Sequence, residues 1–118
     1  MIKVYQIQLT NEEIDAANSG DGAYTNPKIK AYFERSFEST FKAENFQYYT
    51  HVANVDVDGF EQAFEAMNLW EESSLFDRVE RLGRCSSMSV GDIVADHDGK
   101  LYRCASFGFT QLENYQLS

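Results

Sequence analysis

Two cysteines, two histidines and a surplus of carboxylates are the residues in this chain with chemistry to offer. Cys85 or Cys104 as a nucleophile would need a base within reach. His51 falls in a β-rich stretch and His97 in a turn, and nothing in their spacing brings either to a cysteine. Two distant cysteines also fall short of the roughly four close ligands of a zinc site. In a reducing compartment they read as free, buried thiols. Asp56, Asp58 and Gly59 open like a calcium loop, and Asp96 and Asp98 repeat the alternate spacing. VDVDGFEQAFEA then runs straight into a helical pattern, so the set of oxygen donors is incomplete. Paired glutamates at 61 and 65 would do acid–base work only in an enclosed site that drives their pKa values apart, and their helical face reads as wet. The patterns GxxxxGK[ST], HExxH and GxSxG are absent. The expectation is a protein that is not an enzyme, with no catalytic residue, no metal and no cofactor.

The stretch Arg84–Leu112 is the most legible framework around these groups. Ile93-Val94-Ala95 and Leu101–Ala105 are two apolar runs joined through Asp98-Gly99, a hairpin signal because glycine takes positive φ without a Cβ clash. Gly91 is expected in a conformation closed to other residues, with Asp92 bonding nearby amides. Gly108 between Phe107 and Phe109 predicts a bulge or bend.

Ahead of this unit, Lys3–Leu9 alternates as a strand. Thr10-Asn11-Glu12-Glu13 matches a capping box for a short helix to about Asn18. Asn26-Pro27 opens a second helix, since Asn caps well and Pro loses nothing at the first helical position. Ile29, Phe33, Phe37 and Phe41 recur along it as a core stripe. Phe46–Val57, rich in aromatic and β-branched residues, reads as a strand, and His51 within it as a half-buried, hydrogen-bonded side chain. Asp58-Gly59 starts a third helix, capped by Asp58, whose core stripe is Phe60, Ala63, Phe64 and Met67. Trp70 reads as a cover on the core edge. FDRVERL reads as a loop entering a strand, and Glu113–Ser118 as a tail that Tyr115 and Leu117 can dock. The fold class expected is α+β: one domain over 1–118, with about three helices on a mixed or antiparallel sheet and a C-terminal β-hairpin.

The chain has 118 residues, 43% apolar and 14% aromatic, enough for one packed core. It holds no apolar run near the ~20 residues that cross a bilayer, and its N-terminus lacks a cleavable apolar region. The expectation is a cytoplasmic protein with no membrane partner. The net charge of −9 is uneven: residues 1–80 hold 15 acidic and 6 basic side chains, residues 81–118 four of each. Direct nucleic-acid binding needs clustered Lys and Arg and is not expected; a basic protein surface is the natural partner.

The run SMSVGDIV, a DG turn, LYRC and then GF resembles small accessory proteins of phages and other mobile elements, including YodL-like domains. The resemblance spans about the last third of the chain and transfers no catalytic residue. It implies a mobile-element context and a role directed at host machinery.

Three functional readings follow. In the first, the chain is a non-catalytic accessory protein docking on a basic host protein through Asp56, Asp58, Glu61, Glu65, Glu71 and Glu72. A DNA-binding or defence protein fits, because spaced carboxylates compete with phosphates for its Lys and Arg. In the second, a small-molecule or peptide pocket at the C-terminal glycine turns is lined by Met88, Tyr102, Phe107 and Phe109. A third possibility is a homo-oligomer joined through an exposed strand edge.

Overall fold

Strands pair here because short alternating segments can bury one face each and satisfy their backbone groups laterally. A computed structural model describes residues 1–20, 26–36, 42–68, 76–106 and 108–116. Its strands are β1 (Ile2–Gln6), β2 (Thr50–Val55), β3 (Val79–Arg81), β4 (Ile93–Ala95), β5 (Lys100–Cys104) and β6 (Phe109–Gln116). They form one six-stranded sheet in the order β3-β2-β1-β4-β5-β6, antiparallel at every pairing. The helices are α1 (Asn11–Asn18), α2 (Pro27–Glu34) and α3 (Phe60–Asn68). The α+β class expected from the sequence is therefore the observed one, with the sheet wholly antiparallel.

Strand parity sorts the core onto both faces. Ile2, Val4, Ala53, Val55, Val94 and Cys104 pack with Ala63, Ala66 and Met67 of α3 on one face. Tyr5, Ile93, Ala95 and Leu101 pack with Phe46, Tyr49 and Leu112 on the other. Beyond the end of β1, Ile7 and Leu9 are covered by Ile29 and Ala31 of α2 and by Ile14 of α1. The inner strand β4 is buried along its whole length.

Several local rules hold as expected. Thr10 and Glu13 close the capping box, and Asn26 Oδ1 accepts from the Lys28 amide with Pro27 at the helix start. The hairpin loop is closed by bonds from Asp96 N–H to Lys100 O and from Gly99 N–H to Asp96 O, both 3.0 Å. Gly99 takes φ +84°, and Asp96 Oδ1 accepts from the Asp98 and Lys100 amides.

Other expectations are corrected. The first half of Phe46–Val57 is not strand: Ala43–Tyr48 forms a 3₁₀ helix before β2 begins at Thr50. Its three-residue repeat puts Phe46 and Tyr49 on the same side. Their rings stack at 6.0 Å, and Phe46 meets Tyr5 edge-on at 5.1 Å. That tertiary contact outweighs β propensity. The predicted tail is instead β6, a sheet edge that needs only one apolar face and packs Leu112 inward. β1 stops at Gln6, although Ile7 and Leu9 stay buried. FDRVERL divides into a 3₁₀ turn, Phe76–Arg78, and β3.

Two members of the predicted core stripes face outward, Phe33 at 47% exposure and Phe64 at 40%. Ile29, Ala63 and Met67 of those stripes are buried as expected, and Ala31 and Ala66 are buried beside them, all at or below 1%. Phe64 lies about 100° round its helix from Ala63, at the margin of the buried face. The cap on α3 comes from Gln62, not Asp58: Gln62 Oε1 accepts from the amides of Asp58 and Gly59. Phe37, Phe41, Trp70 and Leu117 lie outside the described residues.

Gly91 tests the tightest joint. It holds φ +94°, and a Cβ there would meet the carbonyl of Arg35, 2.6 Å from its carbon. Gly91→Ala is expected to cost roughly 3 kcal/mol or more, from left-handed strain plus overpacking. Gly108→Ala, at φ +74° with nothing within 4 Å, is expected to cost only the backbone term, roughly 1–2 kcal/mol. Urea denaturation midpoints of the two variants check the difference.

Candidate functional site

Helix α3 turns Ala63, Ala66 and Met67 to the sheet and leaves Glu61, Gln62, Phe64 and Glu65 in water. Glu61, Phe64 and Glu65 share one face, being three and four residues apart. Phe60 at the start of the helix is clamped by Tyr102 at 4.7 Å and Phe109 at 5.0 Å. Between this face and the turn from β5 to β6 runs a groove of about 260 Å³, lined by Glu61, Phe64, Cys104, Ala105, Ser106, Gly108 and Phe109. A shallower continuation passes Asp58 and Gln62. The groove has an apolar floor and a carboxylate rim.

The acidic residues read from the sequence meet this groove unequally. Glu61 lines it, Glu65 stands one turn along, and Asp58 borders the continuation. Asp56 is exposed and paired at 3.7 Å with an equally exposed Arg78, a contact worth little in water. Glu71 and Glu72 lie outside the described residues. Of the aromatic pocket candidates, Phe109 lines the groove and Tyr102 supports Phe60 behind it. Met88 is core, 2% exposed, with its backbone held by Asn68 through bonds of 2.6 and 3.0 Å. Phe107 lies outside the described residues.

His51 is held apart from Cys104. His51 stacks on Tyr5 at 4.9 Å and shares a 2.8 Å hydrogen bond with Asn54. It sits on β2, three ladder steps or roughly 14 Å from β5 and Cys104. His97 is exposed in the hairpin loop. Burial, with a smaller push from the Asp92 charge, raises the Cys104 thiol to about 11. At neutral pH it is a protonated thiol, not a thiolate nucleophile. Both cysteines are free. Among the described residues no group of three His, Cys, Asp or Glu side chains could hold a metal ion, and no described helix is long and apolar enough to cross a membrane.

A second, polar cleft of about 210 Å³ opens beyond the end of β1, and sequence reading missed it. Gln6, 3% exposed, organises its wall. Its Nε2 donates to Ser86 O, Ser87 O and Asp92 Oδ2, and its Oε1 accepts from the Ser86 amide and hydroxyl. Gln8 Nε2 donates to Arg84 O. Asp92 Oδ2 also accepts from the Ser89 amide at 2.9 Å. Burial, only partly offset by these bonds and by the nearby Arg35 charge, pushes the Asp92 carboxyl up to about 6. On the far side Arg35 lies over the Tyr32 ring, 4.0 Å from its centroid. Its carbonyl abuts Gly91 and accepts from Arg103 Nε and Nη2. The sequence signal was Asp92 beside a positive-φ glycine; Arg35 comes from a distant segment.

Comparison of the chain with protein-family models, with curated proteins and with solved structures finds no match.

The Asp92 shift sets a pH dependence. Its folded value, about 6, lies above the ordinary 3.8. Between about pH 4 and pH 6 the folded state keeps a proton that the unfolded state has released. The favourable contribution is complete below that window and lost as pH rises through it. In Asp92→Asn the amide oxygen can take the place of Oδ2, which receives both donors. The variant is expected to gain stability over the wild type from pH 4 to pH 7, on the order of a few kcal/mol. Urea midpoints at stepped pH measure it.

Proposed function

We propose that this is a non-catalytic binding protein whose α3 face receives a basic segment of another protein. An apolar side chain of that segment enters the groove beside Phe64 while its Lys or Arg residues meet Glu61, Glu65 and Asp58. The supporting observation is Phe64 itself. It is a large apolar side chain, 40% exposed at the groove, flanked by exposed glutamates in a stretch, residues 56–68, that contains no Lys or Arg. Aromatic anchors with a charged rim are the usual economy of transient interfaces: the apolar centre supplies affinity, the rim supplies steering and partner choice. The raised Cys104 thiol and the separation of His51 from it favour binding over covalent chemistry. The mobile-element resemblance directs the search for the partner to basic host proteins.

Short fluorescent peptides test this reading. Peptides with several Lys or Arg around a central Leu or Phe are expected to bind, acidic and neutral analogues are not, and added salt weakens the complex. Glu61→Lys combined with Glu65→Lys is expected to weaken binding about tenfold or more, ~1.4 kcal/mol, with no loss of thermal stability. Phe64→Ala is expected to raise the dissociation rate. Equal binding of acidic and basic peptides, or indifference to charge reversal, would overturn it.

A further inference from the structure

The cleft beyond β1 stands apart from the α3 face in both place and charge. Two of its lining residues are arginines, Arg35 and Arg84, against one carboxylate, Asp92, in a protein whose net charge is −9. Among the described residues neither guanidinium forms an ion pair. Arg35 spends Nη1 on Tyr32 O and Ser36 Oγ, both at 3.0 Å, and its Nε has no hydrogen-bond partner. The Asp92 carboxylate, by contrast, is occupied by Gln6 and the Ser89 amide. The cleft is thus lined by two arginines without an ion-pair partner among the described residues and by a carboxylate that is already satisfied.

The rest of the wall narrows the chemistry. Ile7, Leu9, Ile14 and Tyr32 give the cleft an apolar lining, and Arg84, Ser86 and Ser89 of the loop a polar one. A cavity of about 210 Å³ far exceeds the roughly 10–15 Å³ that one water needs. It is smaller than the ~300–1,000 Å³ of sites for drug-sized ligands. A nucleotide is too large, and a divalent cation is repelled by two arginines. Inorganic phosphate would waste the apolar side and place a second negative charge near Asp92. A planar carboxylate suits guanidinium geometry and carries only one charge.

We propose that this cleft binds a small organic monocarboxylate, its carboxylate held by Arg84 and Arg35 and a short branched or aromatic tail against Ile7, Leu9 and Ile14. The loop is already built for it. Gln6, the last residue of β1, and Gln8 just beyond it hold residues 84–86, and the Arg35 carbonyl seated on Gly91 fixes the second arginine. Little ordering remains to oppose binding, so a weak ligand can still be selective.

The test is a titration of the ¹⁵N-labelled protein with 3-methylbutanoate, benzoate, acetate, inorganic phosphate and the uncharged 3-methylbutanamide. The two tailed carboxylates are expected to shift the amides of residues 6–9, 35 and 84–89 in a saturable way. Acetate should bind at least tenfold more weakly, and the amide and phosphate should not saturate. Arg84→Ala, at an exposed position, is expected to keep the wild-type urea midpoint and lose tenfold or more in affinity, with Arg84→Lys between. Doubly charge-reversed Glu61→Lys/Glu65→Lys protein should bind as the wild type does, which separates this site from the α3 face. Absence of saturable shifts with either tailed carboxylate overturns the proposal. So does phosphate or the amide binding as well as 3-methylbutanoate, or Arg84→Ala binding as the wild type does.

Discussion

The buried amide of Gln6 is the constraint on which the rest of the structure depends. A side chain 3% exposed at the end of a central strand would leave two donors and an acceptor stranded without partners, at a cost of ~1–3 kcal/mol for each unsatisfied group. Every one of those capacities is met from residues 86–92. A loop of irregular backbone is thereby fastened to β1 across some 80 positions of sequence. Asp92 is drawn under cover by the same bond and the Ser89 amide, and Gly91 is left with positive φ against the Arg35 carbonyl.

That fastening explains how the two halves of the sheet are joined. β1, β2 and β3 form one antiparallel meander and β4, β5 and β6 another; the pairing of β1 with β4 joins them. The loop that Gln6 holds delivers the chain into β4. Asp92 O then accepts from the Cys104 amide and Gly91 N–H donates to Cys104 O, both at 2.8 Å, so the same loop also sets where β5 ends. The α3 groove begins at Cys104 and the polar cleft at Gln6. Both are by-products of one anchored turn, which is why two surfaces of opposite charge can sit on a chain this short.

Much of the architecture was legible from local chemistry. The capping box at Thr10, the Asn26-Pro27 start and the Asp98-Gly99 turn each follow from bonds made within a few residues, so no distant partner had to be known. Where the reading failed, long-range packing had overruled local preference. Phe46 left a β-prone stretch for a 3₁₀ turn in which it stacks on Tyr49 and meets Tyr5 edge-on. Polar β6 became a strand because β5 offered it an edge. Phe33 and Phe64 matched a helical stripe but turn outward, while Ala31 and Ala66, which the stripes left out, are buried.

The amino-acid order alone determined the α+β class, the helix starts, the glycine turns and the concentration of carboxylates in the front of the chain, because each is a property of composition or of neighbours. Only the tertiary structure decided the strand order, the outward turn of Phe64 into an acidic-rimmed groove, and the meeting of Gln6, Arg35, Arg84 and Asp92 around one cleft. Those residues are brought together by burial and hydrogen bonding across the whole chain. No spacing rule within a single segment encodes that.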